Sequence, residues 1–317
     1  MIRRRAVGRL AAVSVFLAVA LGGERITGPA DPPAVAPSAT QLLPPGSIVK
    51  HAHLVGGGFV RGLDIAQDAS GLQVLGPRGW RTFPTLRLAG EVAGLRLWLG
   101  TDHQGRSLLA RAVRGARTSL IVALLATIVA IVLGTLVGLT AATAPSRLSA
   151  VLTVGTDGLI GMPRLLLLLM LGVILRGSPA GIGLAVGLAS WMEVSRLVEA
   201  EARAAMKRPY LVAARAAGAG PLRTALMHLM PGLGPILSVS APLVATRAVL
   251  IESTLAFLGV SGGTGASWGR MVADGHRLLP QGWWLVVFPG ILLCATALVI
   301  HGLIPAARSR SASPSSA

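Results

Sequence analysis

Apolar residues in this chain gather in long blocks, separated by short basic or glycine-rich breaks. A helix that crosses a bilayer needs about 20 mostly apolar residues. Six segments come close to or exceed that length: 7–23, 118–143, 153–175, 179–197, 233–258 and 284–304. The cleanest is 118–143, "TSLIVALLATIVAIVLGTLVGLTAAT", and 153–175 holds the dense run "LLLLLMLGVIL". The pattern predicts an all-α polytopic membrane protein with six transmembrane helices, an N-terminal anchor at 1–23 and a five-helix core within 118–305. The first segment follows "MIRRR" and reads as a retained anchor. Its arginines, short apolar core and small residues at Ala18 and Ala20 also describe a cleavable secretory signal.

Between the blocks the pattern changes. Residues 24–50 are rich in Pro and Ala and read as an irregular linker. Residues 51–100 carry short alternating runs and many glycines, which predicts a small β-rich elaboration. Together, 24–103 form the expected extracytoplasmic region. In 104–117, Leu108, Leu109, Ala112, Val113 and Ala116 share one helical face, and Arg106, Arg111, Arg114 and Arg117 share the other. This predicts an amphipathic helix, either lying at the lipid interface or packed on the bundle. Lys and Arg in short loops orient membrane chains. Arg147, the group from Arg196 to Arg223, and Arg308 and Arg310 all fall on one side of a six-span arrangement, with both termini cytoplasmic. The tail 306–317 is small and polar and reads as disordered.

Composition agrees. Of 317 residues, 53% are hydrophobic and only 13% charged, against about 25% charged in soluble domains. Net charge is +17, but the arginines flank apolar runs and form no stripe with aromatics, so nucleic acid is not the expected partner. The single cysteine, Cys294, excludes an intramolecular disulfide and a cysteine-based zinc site. There is no phosphate loop, no H-E-x-x-H and no G-x-S-x-G, and the histidines do not cluster at ligand spacing, His51 and His53 reading as a solvated pair. Neither catalysis nor a cofactor is expected. Any energy-requiring work must draw on a partner or an ion gradient.

One loop stands apart. Residues 198–231 include "RPYLVAARAAGAGPLRTALMHLMP", from Arg208 to Pro231. Gly218 can close a helix with positive φ, and Pro221 can open the next. The segment reads as helix, glycine corner, helix, with a small outward side at Ala213, Ala214, Ala216, Ala217, Gly218 and Ala219. It is either a docking knob for an acidic groove or a helix lying on the membrane. Asp157, Arg164, Glu193, Arg247 and Glu252 fall in or near spans, where charge is functional by default. Glu252 reads as a structural group paired within the bundle, and Arg247 as paired across helices, since a spacing of five to Glu252 is poor. Pro235 and Pro242 are expected to kink their span. Trp268, Trp283 and Trp284 read as interfacial anchors.

The same loop resembles the "EAA" loop of permease subunits of ATP-binding-cassette importers: E-A-A, three residues, G, nine residues, I-x-L-P. The register here is Val212-Ala213-Ala214, Gly218 and His228-Leu229-Met230-Pro231, with Val212 in place of the glutamate. "LGTDHQGRSLLARAVRGARTSL", "IESTLAFLGV", "SWGRMVADG" and "WWLVVFPG" resemble segments of the second, C-type permease of the dipeptide/oligopeptide/nickel branch, over about 99–305. Ser107 replaces an acid of that pattern, and its C-terminal signature is absent from "HGLIPAARSR". The resemblance implies a type I ABC importer permease core without catalysis of its own. It implies a second permease subunit as heterodimer partner, cytoplasmic ATP-binding subunits, an extracytoplasmic solute-binding protein, and a bacterial inner-membrane location. Carried over, the coupling helix comprises Tyr210, Ala213, Ala214, Arg215, Gly218, Ala219 and Pro221. A membrane scaffold that kept the fold and lost transport remains the alternative, and an ion-coupled carrier is a third reading. The carrier predicts paired intramembrane carboxylates, whereas Asp157 and Glu252 are far apart in sequence.

Overall fold

The computed structural model describes residues 40–55, 59–260 and 266–304. The expected anchor at 1–23, the linker up to residue 39 and the tail 306–317 lie outside them.

The β-rich segment forms six strands: β1 (Ser47–His53), β2 (Phe59–Gly62), β3 (Asp64–Asp68), β4 (Gly71–Gly76), β5 (Gly79–Phe83) and β6 (Ala93–Leu97). Two antiparallel three-stranded sheets result, ordered β2-β1-β6 and β3-β4-β5. β1 takes the last residues of the expected linker. Ala52, Leu54, Val60, Ile65, Leu72 and Val74 make one core between the strands. His51 and His53 lie in β1, not in a loop.

The first long helix, α1, runs unbroken over Leu108–Thr143. The stretch 104–117 therefore forms no separate interfacial helix. Ser107 caps the helix, and with no proline to break it, 108–117 becomes the first turns of the span. Leu108, Ala112 and Ala116 pack against Trp268, Met271, Trp284 and Leu285. Of the two open positions for this amphipathic face, the packed one is observed.

The expected span 153–175 is bent. Helices α2 (Ser146–Ile160) and α3 (Arg164–Ile174) meet at 91°. Pro163 lies at the corner, lacking an amide hydrogen and pushing Met162 out of helical geometry. Next come α4 (Pro179–Leu188) and α5 (Trp191–Ala205), which together are long and apolar enough to be one span. The short α6 (Pro209–Ala216) follows. Then a turn at Pro221–Arg223, a π-helical Thr224–Leu229 and a 3-10 Met230–Leu233 lead into α7 (Gly234–Phe257). Pro242 lies inside α7, whereas Pro235 occupies its first turn, where proline costs no hydrogen bond. α8 (Trp268–His276) and α9 (Trp284–His301) close the described chain. Among the described residues, four stretches are long and apolar enough to cross a membrane, five if the bent pair counts as one span.

Two of the three tryptophans expected at the interface are interior. Trp268 is 1% exposed, and its Nε1 donates to the Ala112 carbonyl at 2.7 Å. Trp284 Nε1 donates to the Thr101 carbonyl at 3.1 Å. Only Trp283 is exposed. Arg111, on the supposed water face, is buried as well. It donates to Asp102 at 2.6 Å and to Asp274 of α8 at 3.1 Å. Asp102 also accepts from Arg106 Nε at 2.7 Å and from the amides of Gln104 and Arg106. A buried charge is tolerable when saturated in this way, and this one ties the loop after β6 to α1 and α8.

α1 is the central element, packed on α4, α5 and α7. Close approach sets the geometry. A Cβ on Gly138 would lie 2.5 Å from the Ser195 carbonyl oxygen of α5, and one on Gly187 of α4 would lie 2.6 Å from Val129 Cβ. Between helices in lipid, such small-residue contacts replace the hydrophobic drive available in water. Gly138→Ala should therefore cost about 1–3 kcal/mol, read as a lower unfolding midpoint in detergent. Gly155→Ala, whose Cβ meets nothing within 4 Å, should leave the midpoint unchanged or raise it.

Candidate functional site

The loop 198–231 is built outward from one leucine. Leu211 is fully buried and joins Leu139, Ala142, Val198, Ala202, Ala205, Leu229, Leu233 and Val244 in one core cluster. That anchor holds α6 against the ends of α1, α5 and α7. The far side of α6 is open. Tyr210 and Val212 are 52% and 54% exposed, and Ala213, Arg215, Ala216 and Ala217 are exposed beside them.

The corner has the glycine-dependent form of a helix end. Gly218 has φ +90°. Its amide donates to the Arg215 carbonyl at 3.0 Å, and the Ala219 amide donates to the Ala214 carbonyl at 3.0 Å. This pair of bonds is the Schellman closure, which needs a left-handed residue at that position. Pro221 then opens the next turn, and buried Thr224 donates its hydroxyl to the Gly220 carbonyl at 2.9 Å. Tyr210, Ala213, Ala214, Arg215, Gly218, Ala219 and Pro221 thus lie on one rigid protrusion, with Ala214 and Ala219 half-buried at its base. An open cavity of about 430 Å³ beside it is lined by Thr143, Pro145, Met206, Arg215, Ala219 and Thr224 among others. Lys207, Arg208 and Arg223 are also exposed, so the protrusion offers cations around a surface of small side chains. Arg208 approaches Glu201 at 3.6 Å, an exposed contact worth little.

The charges in the spans form a second constellation. Glu193, Arg196, Glu199 and Arg203 follow one face of α5 at spacings of three and four. Glu193 bridges Arg164 of α3 and Arg247 of α7. Arg196 pairs with Asp157 of α2 at 3.0 Å and with Glu199 at 3.0 Å. Arg203 reaches Glu199 at 2.7 Å and Ser149 Oγ at 2.9 Å. The cross-helix partner expected for Arg247 is therefore Glu193, and Arg164 stands at the α2–α3 corner. Glu252 is apart from this ladder and fully buried, accepting from Ser267 Oγ at 2.6 Å and Ser253 Oγ at 3.4 Å. It pins the segment before α8 to α7 through these two hydroxyls.

Glu199 was not singled out by the sequence, where "VEAEARAAMKR" reads as a water-compatible helix. It is 3% exposed and also accepts from Thr153 at 2.9 Å. The available signal was the Glu199–Arg203 spacing of four, which puts both on one face.

Residues 130–310 match the family described as binding-protein-dependent transport system inner membrane component. The chain belongs to this family. It is 32% identical over 207 residues to the di/tripeptide transport system permease protein DppC of Pseudomonas aeruginosa, covering 65% of this chain and 68% of that protein. It is 34% identical over 229 residues to the dipeptide transport system permease protein DppC of Escherichia coli K12, covering 72% and 73%. The fold is also that of a chain in the inward-facing MetNI methionine ABC transporter, with TM-score 0.50 and 17% identity over 61% of this chain and 94% of that one. Members of this family are permease components and not enzymes, which agrees with the missing catalytic motifs.

Leu211→Ala should cost about 2–5 kcal/mol locally by emptying its socket. Hydrogen exchange should then rise for the amides of 212–217 while those in the middle of α1 stay protected.

Proposed function

We propose that this chain is one of two permease subunits of an ATP-driven importer for peptides or a related small solute. With a second permease subunit it forms half of the translocation pore, surrounded by membrane lipid, and it takes its energy from separate cytoplasmic ATP-binding subunits. A solute-binding protein delivers cargo on the outer side, where the β-rich module lies. Both termini are cytoplasmic in this reading, with six spans when 7–23 is counted. Relatives named as peptide permeases support the solute class.

The observation that carries the reading is the protrusion 209–218. It is held from beneath by Leu211, closed by Gly218, and its outward side is small except at Tyr210, Val212 and Arg215. A short helix fixed in this way can move as one body with α5 and α7, so a groove that grips it can pull on the spans. Small side chains allow the groove's backbone close, and Arg215 supplies charge for acidic walls. Neither a scaffold nor a self-sufficient carrier requires such a device.

A tagged chain purified in mild detergent should bring down a second permease and an ATP-binding subunit, identified by mass spectrometry. Gly218→Asp should lose the ATP-binding subunit and keep the second permease. Cβ space at Gly218 is open, so the loss would come from the left-handed backbone and the new charge at the protrusion, not from a clash in the core. An ATP-binding subunit retained by the variant, or absent from the wild type in every detergent and lipid tried, would overturn the reading.

A further inference from the structure

We propose that Arg164 and Arg247, bridged by Glu193, form a subsite for the carboxylate of the solute inside the membrane. This rests on the peptide reading above and assigns it a place in the chain.

The three residues come from three different helices. Arg164 opens α3 at the bend, Glu193 lies in the first turn of α5, and Arg247 lies in the middle of α7. Glu193 stands ten residues before Arg203, about 15 Å along the helix at 1.5 Å per residue. Arg203 is next to the loop that carries the protrusion. The trio is thus about half a membrane thickness above that loop, given a hydrocarbon core of about 30 Å. A charge at such a depth must face a protein interior or water. Yet the side chains of Arg164, Glu193 and Arg247 are 33%, 35% and 49% exposed. Their helical neighbours Leu197 and Leu250 are open too. The described residues leave the space they face open. Below the trio the space continues into an open cavity of about 760 Å³, lined by Glu193, Arg196, Glu199 and Arg203 with Thr153, Ile160, Leu197 and Ala200.

The charge count gives the sign of the guest. Along the ladder four guanidiniums, those of Arg164, Arg247, Arg196 and Arg203, meet three carboxylates, those of Glu193, Asp157 and Glu199. The lower members are saturated: Glu199 holds Arg196 and Arg203, and Asp157 takes a further contact from Arg196. The excess cation falls on the trio, where one carboxylate is divided between two guanidiniums. A net positive, half-open site in low dielectric attracts an anion. Guanidiniums bind carboxylates through paired donors. A peptide carries a carboxylate at its end, so it can take one guanidinium while Glu193 keeps the other, and no charge is left unpaired as it passes.

The test uses the assembled transporter in proteoliposomes: this chain, its partner permease, the ATP-binding subunits and the binding protein. Uptake of trialanine is compared with that of trialanine amide, each at a concentration that saturates the binding protein, so that the binding protein's own preference drops out. Loss of one charged hydrogen-bonded contact changes rates about tenfold. The wild type should favour the free acid by about tenfold. Arg247→Gln and Arg164→Gln should each bring the ratio to within about twofold, in complexes whose subunit composition and unfolding midpoint in detergent match the wild type, which reports intact folding. Glu193→Gln, which frees both guanidiniums, should raise the ratio. Variants that keep the wild-type ratio, or that slow acid and amide equally, would give the trio a structural role and overturn the inference. A wild type that takes up acid and amide at equal rates also overturns it, and leaves a lipid phosphate as the anion held there. If the wild type shows no ATP-dependent uptake of either probe, the peptide reading fails and this inference fails with it.

Discussion

The close approach of α1 to α4 and α5 is the constraint on which everything else rests. In lipid, apolar side chains gain little by leaving their surroundings, so helices hold together by contact that only small residues permit. Gly138 under the Ser195 carbonyl and Gly187 against Val129 bring three helices within that range. Once they are fixed, one face of α5 is committed to α1 through Val194 and Val198, which share the core cluster with Leu139. The opposite course of α5 is left to carry charge. The ladder from Glu193 to Arg203 exists because the packing face is already spoken for.

α5 then joins the two functional constellations. Its upper turn places Glu193 between Arg164 and Arg247, and its lower end runs through Ala205 into the cluster that seats Leu211. In the proposed importer, a displacement of α6 would pass to α5 through these buried contacts, and through α5 to the Arg164–Glu193–Arg247 group between α3 and α7. Packed helices that have two arrangements convert a push at one end into a change of access at the other.

Much of this was legible in residue patterns. Block hydrophobicity marked the four long apolar stretches among the described residues, alternation marked the β-rich module, and Gly218 with Pro221 marked the corner. Arg247 was expected to pair across helices because a spacing of five is unfavourable, and Glu193 answers it. What patterns missed is what tertiary packing decides. Periodicity put Arg111 on a water face, but Asp102 and Asp274 come from elsewhere in the chain to bury it. Trp268 and Trp284 had the composition of interfacial anchors, yet carbonyls of Ala112 and Thr101 offered their indole N–H groups a partner inside. The stretch 104–117 was amphipathic, but after the cap at Ser107 nothing stops the helix, so 108–117 fused with the span. Glu199 was not singled out, since only the folded ladder brings Thr153, Arg196 and Arg203 around it.

The most direct measurement is a photocrosslinking residue placed at Ala213, on the open side of α6, in the assembled complex in membranes. A crosslink from position 213 to an ATP-binding subunit, with none from a matching probe at Val151 on the exposed face of α2, is the predicted result. Crosslinks from position 213 to lipid alone, under conditions where transport proceeds, would contradict the assignment of this protrusion as the point where ATP-driven motion enters the membrane.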